Sequence, residues 1–439
     1  MFTAPRIIVI DDEPRHLQGL VEGLHRCGTS CLPLLFTGDP AGIRKCPDVR
    51  VIFADLHLTE GGAAGGYERH FSTIGGLIEE TLAPTGPYVL VLWTRYANQA
   101  EGLRNFLETR LQNVSKPLAV VSLDKTQHLD LTSGAVRDPA ALVKVIESII
   151  YGQPQLAALL GWEERILDAA ADTVAAILAL TSAAKSTDER ARELGRLLAR
   201  LASEAVGEGH VEQDRFGAVN DALLPILADR VAFLRPSAAD IAMWKSAFDA
   251  STAKAALSLD EAARLNRMLH VDESDTTMAS MRGSVSPLTG DKRGDAFKAT
   301  FGLDETKAAS EEFGCGGFDP KSEEFRWMLV QTQAACDFAQ RNAGTIPYLL
   351  ALEMPCKSVS KNSKPPAALW RSPPLHLRKD SRYLHVSSRF QYQLSPDSAA
   401  GMKSSYRLRE QLLSELLHLA HSQGARPGSI AFLERKAKP

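Results

Sequence analysis

The chain has 439 residues, enough for two or three domains. It is 44% apolar with a formal net charge of −3, which excludes a disordered chain and gives no bulk attraction to a polyanion. Cys27, Cys31, Cys46, Cys315, Cys336 and Cys356 are scattered without a CxxC pair, which argues against a disulfide framework and for the reduced thiols of a cytoplasmic protein. Met1–Arg6 runs straight into an apolar stretch, so no signal peptide is expected. No apolar run approaches the roughly 18 residues of a membrane helix, so no membrane partner is expected.

In chain order, Ile7-Ile-Val-Ile10 reads as a buried strand closed by Asp11-Asp12. Residues 14–26 open with proline and place Leu17, Leu20, Val21 and Leu24 on one helical face. Cys31–Phe36 is a second strand, and a short helix is expected near 39–45. Val51-Ile-Phe-Ala54 is a third strand, closed by Asp55. Helices over 70–82 and 98–111 flank a fourth strand, Val89–Trp93, which ends at Thr94. Leu118–Leu123 is the fifth and delivers Lys125, whose amine is expected to be solvated. Asp138–Tyr151 is the last helix of this series. Strands alternating with helices predict a doubly wound, five-stranded parallel sheet over residues 1–152, separable at Gly152–Pro154.

Ligands of such sheets bind at the carboxyl ends of the strands. Asp11, Asp12, Asp55, Thr94 and Lys125 each follow a strand and should converge there. Crowded carboxylates repel one another and favour a hard divalent cation; Mg²⁺ takes a few carboxylates and keeps positions for water and phosphate. An acid, a hydroxyl and an amine around it suit phosphoryl transfer onto Asp55.

The ordered set Val9-Ile-Asp11-Asp12-Glu13-Pro14, Asp55, Thr94 and Lys125 resembles the receiver domain of two-component response regulators, over residues 5–152. The resemblance implies that Asp55 is the phospho-acceptor, and that Asp11, Asp12, Asp55 and the His57 carbonyl hold Mg²⁺. It further implies that Thr94 and Lys125 bind the phosphoryl group, and that a histidine kinase is the donor. The chain departs from the family pattern in three places. Thr126 stands where proline usually follows the lysine, and Ser122 where an aromatic switch residue is usual. The loop Glu60–Gly66 is long and glycine-rich, and is expected to reorder on activation.

Residues 153–275 read as an acidic α-helical bundle, with 20 acids against 13 Lys and Arg. Its apolar stripes, such as Leu194, Leu197, Leu198 and Leu201, serve either an internal core or a homodimer face. Residues 276–439 read as an α+β domain. Strands are expected at 325–332, 346–354 and 383–394, an amphipathic helix at Ser404–Gln423 and a closing strand at 429–433. The segment Lys357–Arg389 carries eight Lys and Arg against Asp380 and reads as an extended basic loop. Cys336-Asp337 and the pair His418 and His421 are further candidate chemical groups, although buried or exposed bystander roles suit both better.

These readings give a non-enzymatic phospho-accepting regulator that relays or sinks a phosphoryl group, with a downstream effector protein as partner. Its architecture resembles the receivers of two-component-like antiphage systems of the Detocs type. The alternative is a receiver-gated effector that contacts nucleic acid through Lys357–Arg389, although no DNA-binding motif is present to favour it.

Overall fold

The computed structural model describes residues 5–26, 28–38, 45–58, 66–274, 276–340, 344–359 and 366–424. The expected helix near 39–45 lies almost wholly outside the described residues. The glycine-rich loop lies mostly outside them, and the closing strand at 429–433 wholly so. Contacts divide the chain into two units: Met1–Ala175 with Leu227–Lys254, and Ala176–Ile226 with Ala255–Pro439.

The first unit contains a five-stranded, all-parallel sheet flanked by helices. Its strands are β1 (Ile7–Asp11), β2 (Leu32–Leu35), β3 (Val51–Ala54), β4 (Val89–Thr94) and β5 (Ala119–Asp124), in the order β2-β1-β3-β4-β5. The helices of the alternating series are α1 (Pro14–Arg26), α2 (Glu68–Gly76), α3 (Ala100–Arg110), α4 (Lys125–His128) and α5 (Pro139–Tyr151). Strand side chains alternate between two apolar clusters, as the two-residue period requires. Ile8, Ile10, Ile52, Ala54, Leu90 and Leu92 pack with Phe71 and Ile74 of α2 and Leu103 and Leu107 of α3. Val9, Val51, Phe53, Val89, Val91 and Trp93 pack with Leu17, Leu20 and Leu24 of α1 and Leu142 and Ile146 of α5. Burial on both sides is why these strands read as unbroken apolar runs. Asp138 caps α5 by accepting from the N–H groups of Ala140 and Ala141, each at 3.0 Å.

The helix expected over 70–82 starts two residues earlier and changes to π-helical winding at Leu77–Leu82, ending on Ala83 in the left-handed conformation. The apolar pattern continues through that change, so periodicity alone gives one helix. The helical stretch comprises α6 (Pro154–Ala179), α7 (Thr187–Val206), α8 (Arg215–Ala232), α9 (Ala238–Ala247) and α10 (Leu259–His270). Ser186, Ser237 and Ser258 cap α7, α9 and α10. Leu156 of α6 is fully buried in the cluster that contains Val9 and Trp93. Leu194, Leu197, Leu198 and Leu201 are only half-buried, while Leu167, Val174, Phe216 and Phe233 are exposed. No described helix is long and apolar enough to cross a membrane.

In the second unit, β6 (Val271–Asp272), β7 (Ser284–Pro287), β8 (Arg326–Gln331), β9 (Ile346–Pro355), β10 (Leu369–Arg371), β11 (Leu375–Leu377), β12 (Asp380–Leu394) and β13 (Tyr406–Leu408) form one antiparallel sheet. Its order is β10-β12-β9-β8-β7-β13-β6, with β11 paired to β12. Trp327, Leu329, Tyr348 and Leu350 pack with Phe297 of α11 (Asp295–Phe301) and with Phe313. Met328, Val330, Leu349 and Val386 pack with Leu412, Leu413 and Leu416 of a C-terminal helix, Glu410–Gly424. Two expectations change here. The basic segment is not one extended loop, since β10, β11 and the first two thirds of β12 lie inside it. Residues 406–408 form β13 rather than the first turn of the final helix. Leu408 sits four residues before Leu412, so its spacing suits a helix even though it is buried in a strand.

Candidate functional site

The carboxyl ends of β1, β3, β4 and β5 deliver Asp12, Asp55, Thr94 and Lys125 to one cleft of about 210 Å³, while Asp11 is not among its lining residues. Asp55 follows β3, and its backbone N–H donates to the Ile10 carbonyl at 3.0 Å, which locks it beside β1. Its Oδ1 accepts from the Leu56 N–H at 2.7 Å, and its Oδ2 accepts from Lys125 Nζ at 2.6 Å. Asp11 is fully buried; its Oδ1 accepts from the Glu13 N–H at 3.0 Å, and its Oδ2 lies 3.4 Å from Lys125 Nζ. Asp12 is exposed. One oxygen from each of Asp11, Asp12 and Asp55 lies within 4.8 Å of the other two.

Lys125 is buried, contrary to the expected solvated amine. The first turn of α4 places it, and Asp124 caps that turn by accepting from the Thr126 N–H at 2.9 Å and the Thr126 hydroxyl at 2.7 Å. Thr126 therefore has a capping role that proline, lacking an N–H, could not fill. Thr94 ends β4 and is fully buried, yet it is one of the residues lining the cleft; its hydroxyl accepts from the Tyr96 N–H at 3.4 Å. Ser122 is exposed on β5 and does not line the cleft.

The electrostatics follow from this crowding. Burial pushes the Asp11 carboxyl up to about 6; the Lys125 amine opposes the shift and the Asp55 charge adds to it. Asp12 is raised chiefly by burial. His57 lines the cleft with its imidazole lowered by burial and by His70, whose ring centroid is 4.4 Å away. Tyr96 also packs against the His57 ring, with centroids 4.5 Å apart.

Sequence reasoning missed His16. Its Nδ1 lies 3.5 Å from Lys125 Nζ and its Nε2 lies 3.1 Å from the Leu131 carbonyl. Its place in the first turn after Asp12, on the helix leaving the cleft, was the available signal. His70 was also missed: it is buried on α2, and its Nδ1 has no hydrogen-bond partner among the described residues.

The other candidates do not join this cleft. Cys336 is exposed, while burial raises the Cys315 and Cys356 thiols to about 11, far from thiolate reactivity. His418 and His421 are exposed. Three cations of the basic segment are paired with acids: Lys357 with Glu324, Arg382 with buried Glu353, and Arg389 with Glu312. Among the described residues, Asp11, Asp12 and Asp55 are the group of acids, histidines or cysteines arranged to hold a metal ion.

The five-stranded parallel sheet with this acidic cluster at its edge is compatible with a receiver-like fold. No family model, no curated protein and no solved structure matches the chain.

Proposed function

We propose that the N-terminal unit is a doubly wound receiver that accepts a phosphoryl group on Asp55 from a histidine kinase. The observation that carries this reading is the placement of Asp55 Oδ2 2.6 Å from Lys125 Nζ, with Asp11 and Asp12 grouped with Asp55 and Thr94 lining the same cleft. The site lies beside the β1–β3 pair, where the strand order reverses and such sheets bind ligands. In the transfer, an Asp55 carboxylate oxygen forms a bond to phosphorus as the donor's N–P bond breaks. The imidazole leaves with that electron pair and takes up a proton.

The donor set fits Mg²⁺: three carboxylates converge against a single amine, and all donors are oxygen. Asp11, Asp12 and Asp55, with the His57 carbonyl, would hold the ion, which neutralises charge on the phosphoryl oxygens when bound. Lys125 adds a fixed positive charge on the same side, and Thr94 a hydroxyl donor. The remainder of the chain would pass the phosphorylation state to an effector protein or serve as a phosphate sink. Beryllofluoride, which mimics an acyl phosphate, tests the site. With Mg²⁺ it should raise the melting temperature of the wild type and leave Asp55→Ala unchanged; an equal rise in both would refute the assignment.

A further inference from the structure

The hairpin joining β11 and β12 turns on two residues, Arg378 and Lys379, with Leu377 paired to Asp380 across it. Both turn residues have positive φ, 53° and 70°. A two-residue turn of this geometry favours Asn-Gly, because a side chain at positive φ is strained. Neither residue recovers that strain by burial, since both are exposed. What the turn achieves is placement. Arg378 donates to the Glu323 carbonyl at 3.1 Å and borders an open cleft of about 530 Å³.

Arg293, Lys321 and Arg326 line the same cleft, and Glu323 is its acid. Arg293 is held rigidly: Glu305 accepts from its Nε at 2.7 Å and from its terminal nitrogen at 2.5 Å, and Glu305 is itself fixed by the Trp327 indole N–H at 3.2 Å. Lys321, Arg326 and Arg378 make no ion pair among the described residues, so the cleft keeps an excess of positive charge. Lys357, Arg382 and Arg389 of the same sheet region are instead paired with carboxylates. Four cations, Arg293, Lys321, Arg326 and Arg378, thus meet in one concavity with Glu323. A track suits a nucleic-acid backbone, whereas a concavity of this size suits a small ligand.

We infer that this cleft binds the phosphate chain of a nucleotide-sized anion, with Arg378 and Arg326 as forked donors and Lys321 as a point charge. This site is independent of the proposed phospho-acceptor. Titration calorimetry of the full chain in EDTA, with ATP and with inorganic tripolyphosphate as probes, tests it. Binding of either probe, weakening with salt, is expected. Arg378→Asn combined with Lys379→Gly should weaken it roughly ten-fold or more while raising the melting temperature, because the turn relaxes as the ligand donor is lost. Lys321→Ala, away from the turn, should weaken it as well, and Asp55→Asn should leave it unchanged. Undiminished binding by the turn variant, no binding of either probe, or binding of an RNA or DNA oligonucleotide alone would overturn the inference.

Discussion

Lys125 Nζ stands 2.6 Å from Asp55 Oδ2 and 3.4 Å from Asp11 Oδ2, so one buried amine serves two buried carboxylates. Asp12 adds a third acid to the cluster. Three acids thus face one amine, and the protein's own groups leave the site short of positive charge. Its stability depends on the amine, and it has room for a cation.

Replacing Lys125 with methionine keeps the stem and removes the charge. It should destabilise the metal-free protein by roughly 3 kcal/mol, because the acids lose their buried partner. Adding Asp11→Asn should recover part of that loss, since one of the repelling carboxylates goes with it. Urea denaturation in EDTA measures both; a Lys125→Met protein as stable as wild type would mean that the amine is not compensating the acids.

Gly19 lies mid-helix in α1, where alanine normally stabilises by up to about 1 kcal/mol. Here a Cβ would collide with the Gly134 carbonyl oxygen, and that contact is backbone: Gly134 has φ +76° and leaves no room for a Cβ of its own beside the Arg15 carbonyl. Gly19→Ala should therefore destabilise, by about 2 kcal/mol or more. It should also displace the turn whose Leu131 carbonyl contacts His16 at the cleft. A rise in melting temperature would contradict the packing described.

His385 is fully buried in the second unit. Its Nδ1–H donates to the Phe313 carbonyl at 2.7 Å, and its Nε2 accepts from Arg371 Nε at 3.0 Å, which requires the neutral ring. Burial lowers it from 6.5 to about 4; the Phe313 bond opposes the shift and Arg371 adds to it. Above about pH 6.5 both folded and unfolded rings are neutral. As pH falls from there to about 4, the unfolded state takes up a proton that the folded state refuses, so stability is lost across that window. The loss is on the order of 3 kcal/mol at most. His385→Gln should be less stable at pH 7 but show a flatter pH dependence between 6.5 and 4. Parallel profiles would contradict this account.

Leu156 and Glu163 lie beyond Tyr151, yet both belong to the first unit's packing. Leu156 is fully buried in the sheet cluster, and Glu163 pairs with Arg50 at 2.7 Å and Arg6 at 3.1 Å. A fragment of residues 1–152 should fold with the same sheet but unfold at lower urea than 1–175, by roughly 3 kcal/mol. Coincident transitions would show that α6 adds nothing to this core.

Much of the first unit can be read directly from the chain, for a physical reason. Val51–Ala54 and Val89–Trp93 are buried on both sides, so they appear as apolar runs, and the polar residue that ends each run is at the sheet's edge. That places Asp55 and Thr94 without further information. The burial of Lys125 is not legible, because it depends on where α4 turns and on which acids meet the amine. His16 and His70 reach the site through helix packing, which leaves no fixed spacing from Asp55. In the second unit, β6, β10, β11 and β13 are two or three residues long, too short to establish a period. Glu353 is a lone acid in the apolar run 346–355 and Arg382 one of several charged residues after Leu377, and only the β9–β12 register makes them a buried pair.

The most direct test of the phospho-acceptor reading is the intact mass of the full chain after incubation with acetyl phosphate and Mg²⁺. One added phosphoryl group is expected, mapped to Asp55, not formed when EDTA replaces Mg²⁺ in the incubation and absent from Asp55→Asn. An unmodified wild type, or an adduct that persists undiminished in Asp55→Asn, would contradict the account.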